Sequence, residues 1–207
     1  METIRLNTII FPPQHIREEA MELSKKAASF APTHFILNDR SYFAHSTLYS
    51  PEYPLDRIDE VIESIRALSN SFKPQQMNFD AISSTSTGGI AVEYTLSRNV
   101  KRLRENVIHT LNPIRNDVVR KKYIHFETDN TLDSSQKESV RLYGYPINDY
   151  HFPHITISHF KEKKMAQKFL AEYDNALSPF LADKIAVCEM GLHGTCTKIL
   201  GVFNLKT

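Results

Sequence analysis

The same four-residue phrase, His-x-Thr followed by an aliphatic residue, stands at His45-Ser46-Thr47-Leu48 and again at His154-Ile155-Thr156-Ile157. In both places the local pattern reads as a β-strand. Residues two apart on a strand point to the same face. Each phrase therefore presents an imidazole beside a hydroxyl on one face and sets Leu48 or Ile157 on the other. The phrases begin 109 residues apart, at positions 45 and 154, far beyond any solenoid period. Such a spacing constrains the chain to two similar halves of one domain. Two pairs facing one another supply a proton acceptor, a proton donor and two hydroxyl donors, the set that phosphoester transfer requires. Each histidine taken singly also fits an ordinary strand residue with a satisfied hydrogen bond. The pairing, with matched surroundings, is what favours chemistry.

The 207 residues are enough for a full core in one domain, here 1–207. With 41% hydrophobic and 24% charged residues, the chain is of the soluble globular kind rather than disordered or fibrous. A net charge of +1 excludes a protein that tracks a long nucleic-acid backbone and leaves one that grips a terminus or a short piece. Cys188 and Cys196 are too few for a disulfide framework, and a reducing cytoplasm is the expected compartment. The first residues lack the apolar run of a signal peptide, and no stretch approaches the length of a membrane span.

Hydrophobic spacing sets the expected elements. A strand over 3–10 ends at Pro12-Pro13, and a helix follows over 15–29. An extended stretch, 34–49, carries the first phrase. Ile58, Val61, Ile62, Ile65 and Leu68 mark a helix over 56–69. Met77, Phe79 and Ala81 alternate as a strand, which returns after Gly88-Gly89 over 90–96. A helix spans 98–111 and stops at Pro113. A strand is expected near 122–126, with a loop or short helix over 128–141. The second phrase lies on a strand over 153–159, a helix follows near 161–176, and strands 184–193 and 199–205 pair. The result is an α+β architecture with helices outside antiparallel sheets.

This order of elements, with His-x-Thr-x on a strand in each half, resembles the 2H phosphoesterase superfamily, which includes 2′-5′ RNA ligase-like proteins and cyclic nucleotide phosphodiesterases. The likeness spans nearly the whole chain and includes the closing strand that ends in Phe203-Asn204-Leu205. It implies a bilobal fold, two pseudo-symmetric lobes of antiparallel sheet around a central cleft. His45 and Thr47 would line one wall, and His154 and Thr156 the other. It implies metal-independent opening of a 2′,3′-cyclic phosphate or cleavage of a 2′-5′ linkage, with His45 and His154 as acid and base in unassigned order. Thr47 and Thr156 would hold the phosphate, and a nucleotide or RNA terminus would be the partner, with no cofactor. The alternative is a non-catalytic module on the same fold that binds nucleotides or RNA ends. Two departures stand out. His159 occupies a place where many ligase-like members carry Arg, which leaves it as a phosphate contact or a supporting residue. The gap between motifs is also long, and the excess is assigned to an insertion near 114–150, either a surface excursion or a substrate lid.

Aromatic stacking is the sequence-tolerant way to hold an unpaired base; Tyr42, Phe43, Tyr145, Tyr150 and Phe152 lie close to the motifs, and of these Tyr42 and Tyr150 are the candidates for the cleft. A metal centre at His151, His154 and His159 is the rival within chemistry. On a regular strand 154 points away from 151 and from 159, so no metal is expected there.

Overall fold

The computed structural model describes residues 1–147, 152–173 and 176–206. Tyr150 and His151 lie outside the described residues. Two antiparallel sheets carry the two motifs, and helices pack on them, an α+β fold. The first sheet is built on β1 (Thr3–Ile10), whose C-terminal half is wholly buried. Along one side β1 pairs with β9 (Lys184–Met190), which pairs in turn with β10 (Cys196–Asn204). Along its other side lie two short strands. β2 (Ser46–Tyr49) pairs with the C-terminal half of β1, and β3 (Glu52–Pro54) with the N-terminal half.

The second sheet has the order β5 (Phe79–Ser84), β6 (Gly89–Tyr94), β7 (His154–His159). A small ribbon of β4 (Gln75–Met77) and β8 (Phe180–Ala182) completes the strands. Both motif strands are therefore edge strands, β2 of one sheet and β7 of the other, and they pack against each other. That contact brings together residues more than a hundred positions apart.

Helix α1 (Gln14–Phe30) buries Ile16, Ala20, Leu23 and Ala27 at helical spacing. It packs on β7, although it follows β1 in the chain. Helix α2 (Ile58–Ser69) covers β9 and β10, and α3 (Arg98–Leu111), capped by the Ser97 hydroxyl, covers β2. Helix α5 (Lys164–Glu172) lies against β5. One continuous apolar core runs through both halves, from Leu6 and Ile10 through Tyr49 and Val107 to Ile155, Ile157 and Phe169.

The segment after α3 departs from expectation. Residues 121–123 and 126–128 form 3₁₀ turns, not the strand expected near 122–126. The backbone there is held by side chains rather than by a ladder. Lys121 N–H donates to Glu52 Oε1 at 3.1 Å, and the Arg120 guanidinium donates to the Ser50 carbonyl. The polar run that follows does become a helix, α4 (Ser134–Tyr143). Its N-terminus is fixed by a reciprocal bond pair between Asp133 and Gln136, and Gly144 ends it at φ 80°. Arg115, 2% exposed, ties the segment down by donating to Asn112 Oδ1 and to the carbonyls of Val118 and Leu142. The Tyr145 hydroxyl accepts the Ser50 N–H at 3.0 Å. Residues 113–147 are thus fastened to β2 and β3.

The cysteines also depart from expectation. Cys188 on β9 and Cys196 on β10 are joined as a disulfide, beside Ile9 and Ala186 in a small second apolar cluster. Cysteine usage therefore no longer argues for a reducing compartment. Among the described residues, no helix is long and apolar enough to cross a membrane.

Candidate active site

The two motifs share more than their letters. In β2 the register with β1 slips by one residue at Leu48, since Ile9 faces Thr47 and Thr8 faces Tyr49. In β7 the register with β6 slips at Ile157, since Ala91 faces Thr156 and Ile90 faces Ser158. The aliphatic fourth residue of each phrase is therefore a β-bulge. Leu48 and Tyr49 are both buried, as are Ile157 and Ser158. A bulge adds twist and re-aims the side chains around it. It also resets the alternation, so that His159 returns to the half-buried face of His154 and Thr156. The expectation of opposite faces for 154 and 159 held only for a regular strand.

The histidines are oriented alike. His45 Nδ1 donates to the Phe43 carbonyl at 2.8 Å, and His154 Nδ1 donates to the Phe152 carbonyl at 3.0 Å. In each case the acceptor is the backbone two residues upstream. A carbonyl can only accept, so the bond fixes the proton on Nδ1 and leaves the lone pair of the neutral ring on Nε2. His45 is 7% exposed, and His154 is half-buried. Burial pushes the His45 pKa down to about 4, and the charge of His154 pushes the same way against the bond to Phe43. His154 is thus near enough for its charge to be felt at His45. At neutral pH His45 is an uncharged imidazole, able to accept a proton at Nε2.

Asn7, on β1, was not among the sequence candidates. It is fully buried, and its Nδ2 donates to Thr47 Oγ1 at 2.9 Å. Thr47 oxygen is the acceptor in that bond, which orients the hydroxyl from the β1 side. The only sequence signal was a buried-strand run interrupted by one amide, TIRLNTII, and nothing in that run says which hydroxyl the amide meets.

Of the remaining candidates, Tyr42 is half-buried, with its ring 5.9 Å from that of Phe35 and packed on the core. His159 stands with His34 and His193, their ring centroids 5.3 and 5.2 Å away, and Nε2 of His159 lies 3.4 Å from Thr87 Oγ1. Burial lowers its pKa, followed by the neighbouring charges of His193 and His34. The structure therefore brings His45, Thr47 and Asn7 together on the β1–β2 side. His154 and Thr156 share β7, and His159 joins a separate cluster at that strand's other end.

Comparison with known proteins agrees on the fold. TT0787 of Thermus thermophilus is 16% identical, with a TM-score of 0.60 over 98% of both chains. A crystal structure titled phosphoesterase is 14% identical, with a TM-score of 0.59 over the full length of each. LigT of E. coli, solved with 3′-AMP, is 13% identical, with a TM-score of 0.56 over the full length of each. No curated protein sequence matches. Residues 51–198 match the family described as "Protein of unknown function (DUF1045)", a span that takes in the second motif and begins just past the first. That span is well over half of the chain, which therefore belongs to the DUF1045 family and carries it on the 2H phosphoesterase fold.

Proposed function

We propose that the protein is a phosphodiesterase that opens a 2′,3′-cyclic phosphate, or cleaves a 2′-5′ linkage, at a nucleotide or RNA end, by acid–base catalysis that needs no metal. The observation that carries this reading is the matched pair of imidazoles, each held in the same tautomer by the carbonyl two residues upstream. Depression of the His45 pKa supports His45 as the proton acceptor, which leaves the donor's part to His154. In hydrolysis of a cyclic phosphate, water oxygen bonds to phosphorus as its proton passes to His45 Nε2. The bond from phosphorus to one ribose oxygen breaks, and that oxygen takes the proton of His154. The product is a phosphomonoester, and a proton exchange with solvent restores both rings. The Thr47 and Thr156 hydroxyls donate to the non-bridging oxygens, where charge collects, and Asn7 aims Thr47. LigT, of the same fold, has been solved with phosphate and with 3′-AMP, which agrees with a nucleotide or RNA terminus as the ligand. The described part of the insertion read near 114–150, residues 114–147, is fastened to the segment that carries β2 and β3.

A panel of cyclic mononucleotides, RNA with a cyclic phosphate end and 2′-5′ linked dinucleotides, assayed in EDTA, tests the reading. His45→Ala and His154→Ala should each lower kcat by about 10²–10⁴. Thr47→Val should cost about 10²–10³, and Asn7→Ala a smaller part of the same loss with KM little changed. Unchanged turnover in both histidine variants would refute the assignment. Saturable nucleotide binding with no turnover of any substrate would instead favour a binding module.

A further inference from the structure

Three imidazoles from three separate stretches of chain meet at the end of β7 remote from His154. His34 comes from the segment after α1, His159 closes β7, and His193 sits in the turn between β9 and β10. One ring nitrogen from each lies within 4.8 Å of those of the other two. The rings of His34 and His193 stack at 3.9 Å, although both residues are exposed. Exposed imidazoles have water available and need no such company.

The arrangement is held from the backbone. His34 N–H donates to the His159 carbonyl at 2.8 Å, and Lys161 N–H to the Pro32 carbonyl at 3.0 Å. Residues 32–34 are thereby laid alongside the end of β7. His193 takes up φ 56°, a left-handed conformation unusual for any residue with a Cβ. Strain of that kind persists where the surroundings over-determine it, and it gathers at ligand sites. Nδ1 of His159 is buried beside the Phe160 backbone, and Nε2 faces Thr87 Oγ1 at 3.4 Å.

The donor set speaks to the ligand. Only imidazole nitrogens form the cluster, with no carboxylate among its members. Calcium and magnesium take oxygen ligands, whereas zinc, nickel and copper suit imidazole. In a tetrahedral zinc site the nitrogens lie at about 2.0–2.1 Å from the metal, and so about 3.4 Å from one another. Side-chain rotation of the two exposed rings closes the remaining distance. Three ligands leave a fourth position for water or an anion.

We propose that His34, His159 and His193 form a binding site for a divalent transition cation of the zinc class, separate from the His45–His154 centre. The site joins the β9–β10 turn of one sheet to the β7 edge of the other, so a bound ion clamps the two halves together at one end. It does not rest on the proposed catalytic activity.

The test uses the untagged full chain, stripped with chelator, exchanged into plain buffer and titrated with zinc against a chromophoric chelator. Cobalt(II) serves as a second, visible probe. One equivalent of zinc is expected to bind and raise Tm by mass action. His34→Ala and His193→Ala, both at exposed positions, should each weaken binding by at least about ten-fold and abolish the Tm increase. His109→Ala, outside the cluster, should leave both unchanged. Zinc binding that is absent, or equal in wild type and both cluster variants, overturns the proposal. So does binding of inorganic phosphate that depends on the three histidines in a protein that takes no zinc, since the cluster is then an anion site.

Discussion

At the scale of single residues, the chemistry of the site follows from where each imidazole is placed in relation to water. His45 and His154 have the same local sequence and the same backbone bond, yet only His45 is buried, and its pKa falls to about 4. That depression has a consequence for stability. The unfolded chain binds a proton at this residue near pH 6.5, whereas the folded chain does so only near 4. Between those values the unfolded state holds more protons, so stability falls as pH drops from about 6.5 to 4. From pH 7 to pH 5 the loss from this residue is about 2 kcal/mol. Urea titrations at the two pH values should show it in wild type and show a markedly smaller loss in His45→Gln. Equal losses in the two proteins would mean that His45 titrates normally. Asn7 adds a lesson at the same scale: an amide in a buried strand is costly unless it bonds, so its presence was a signal, although its partner was not legible.

At the scale of elements, the strands and helices whose apolar residues repeat were readable in the sequence. The helices α2 and α3 end at the residues that the sequence spacing marks, Ser69 and Leu111. The paired strands expected over 184–193 and 199–205 are also present as β9 and β10, at 184–190 and 196–204, the first ending and the second starting three residues earlier. The failure at 122–126 has a physical cause. Lys-Tyr-Ile-His-Phe has the aromatic and β-branched residues of a strand, but among the described residues no strand pairs with it, and Ile124 stays exposed. Glu52 and Ser50 instead bond the flanking groups. Helix α4 could have been read more firmly, because Asp133-Ser-Ser-Gln136 is a capping sequence. Its last turn depends on Gly144. A Cβ there would stand 2.7 Å from the Val118 carbonyl and 2.9 Å from Arg115 Cδ, at φ +80°. Gly144→Ala should therefore cost about 2 kcal/mol in urea unfolding. A cost near zero would mean that residues 113–147 adapt independently of β2 and β3.

At the scale of the whole molecule, two sheets share one apolar core, and α1 leaves the first sheet to pack on β7 of the second. Helix α3 makes the converse crossing, following β6 of the second sheet and covering β2 of the first, so the two should not unfold apart. Thermal or urea unfolding is expected as a single transition, with far-UV circular dichroism and tyrosine fluorescence coincident. The chain has nine Tyr and no Trp, so the tyrosine signal is clean. Two resolved transitions would show that the halves are energetically separate.

What the sequence determined by itself is the set of parts: two His-x-Thr-aliphatic strands, the helices with apolar stripes and the closing hairpin. Those follow from periodicities of 2 and 3.6 residues, which are local properties of the backbone. The tertiary structure decided what no local period encodes. It placed both motif strands at sheet edges, so that they meet, and it buried His45 more deeply than His154. It also turned Leu48 and Ile157 into bulges, which swung His159 out of strict alternation and toward His34 and His193. A bulge depends on the partner strand and burial depends on the whole core, so both are written only in contacts between residues far apart in the chain.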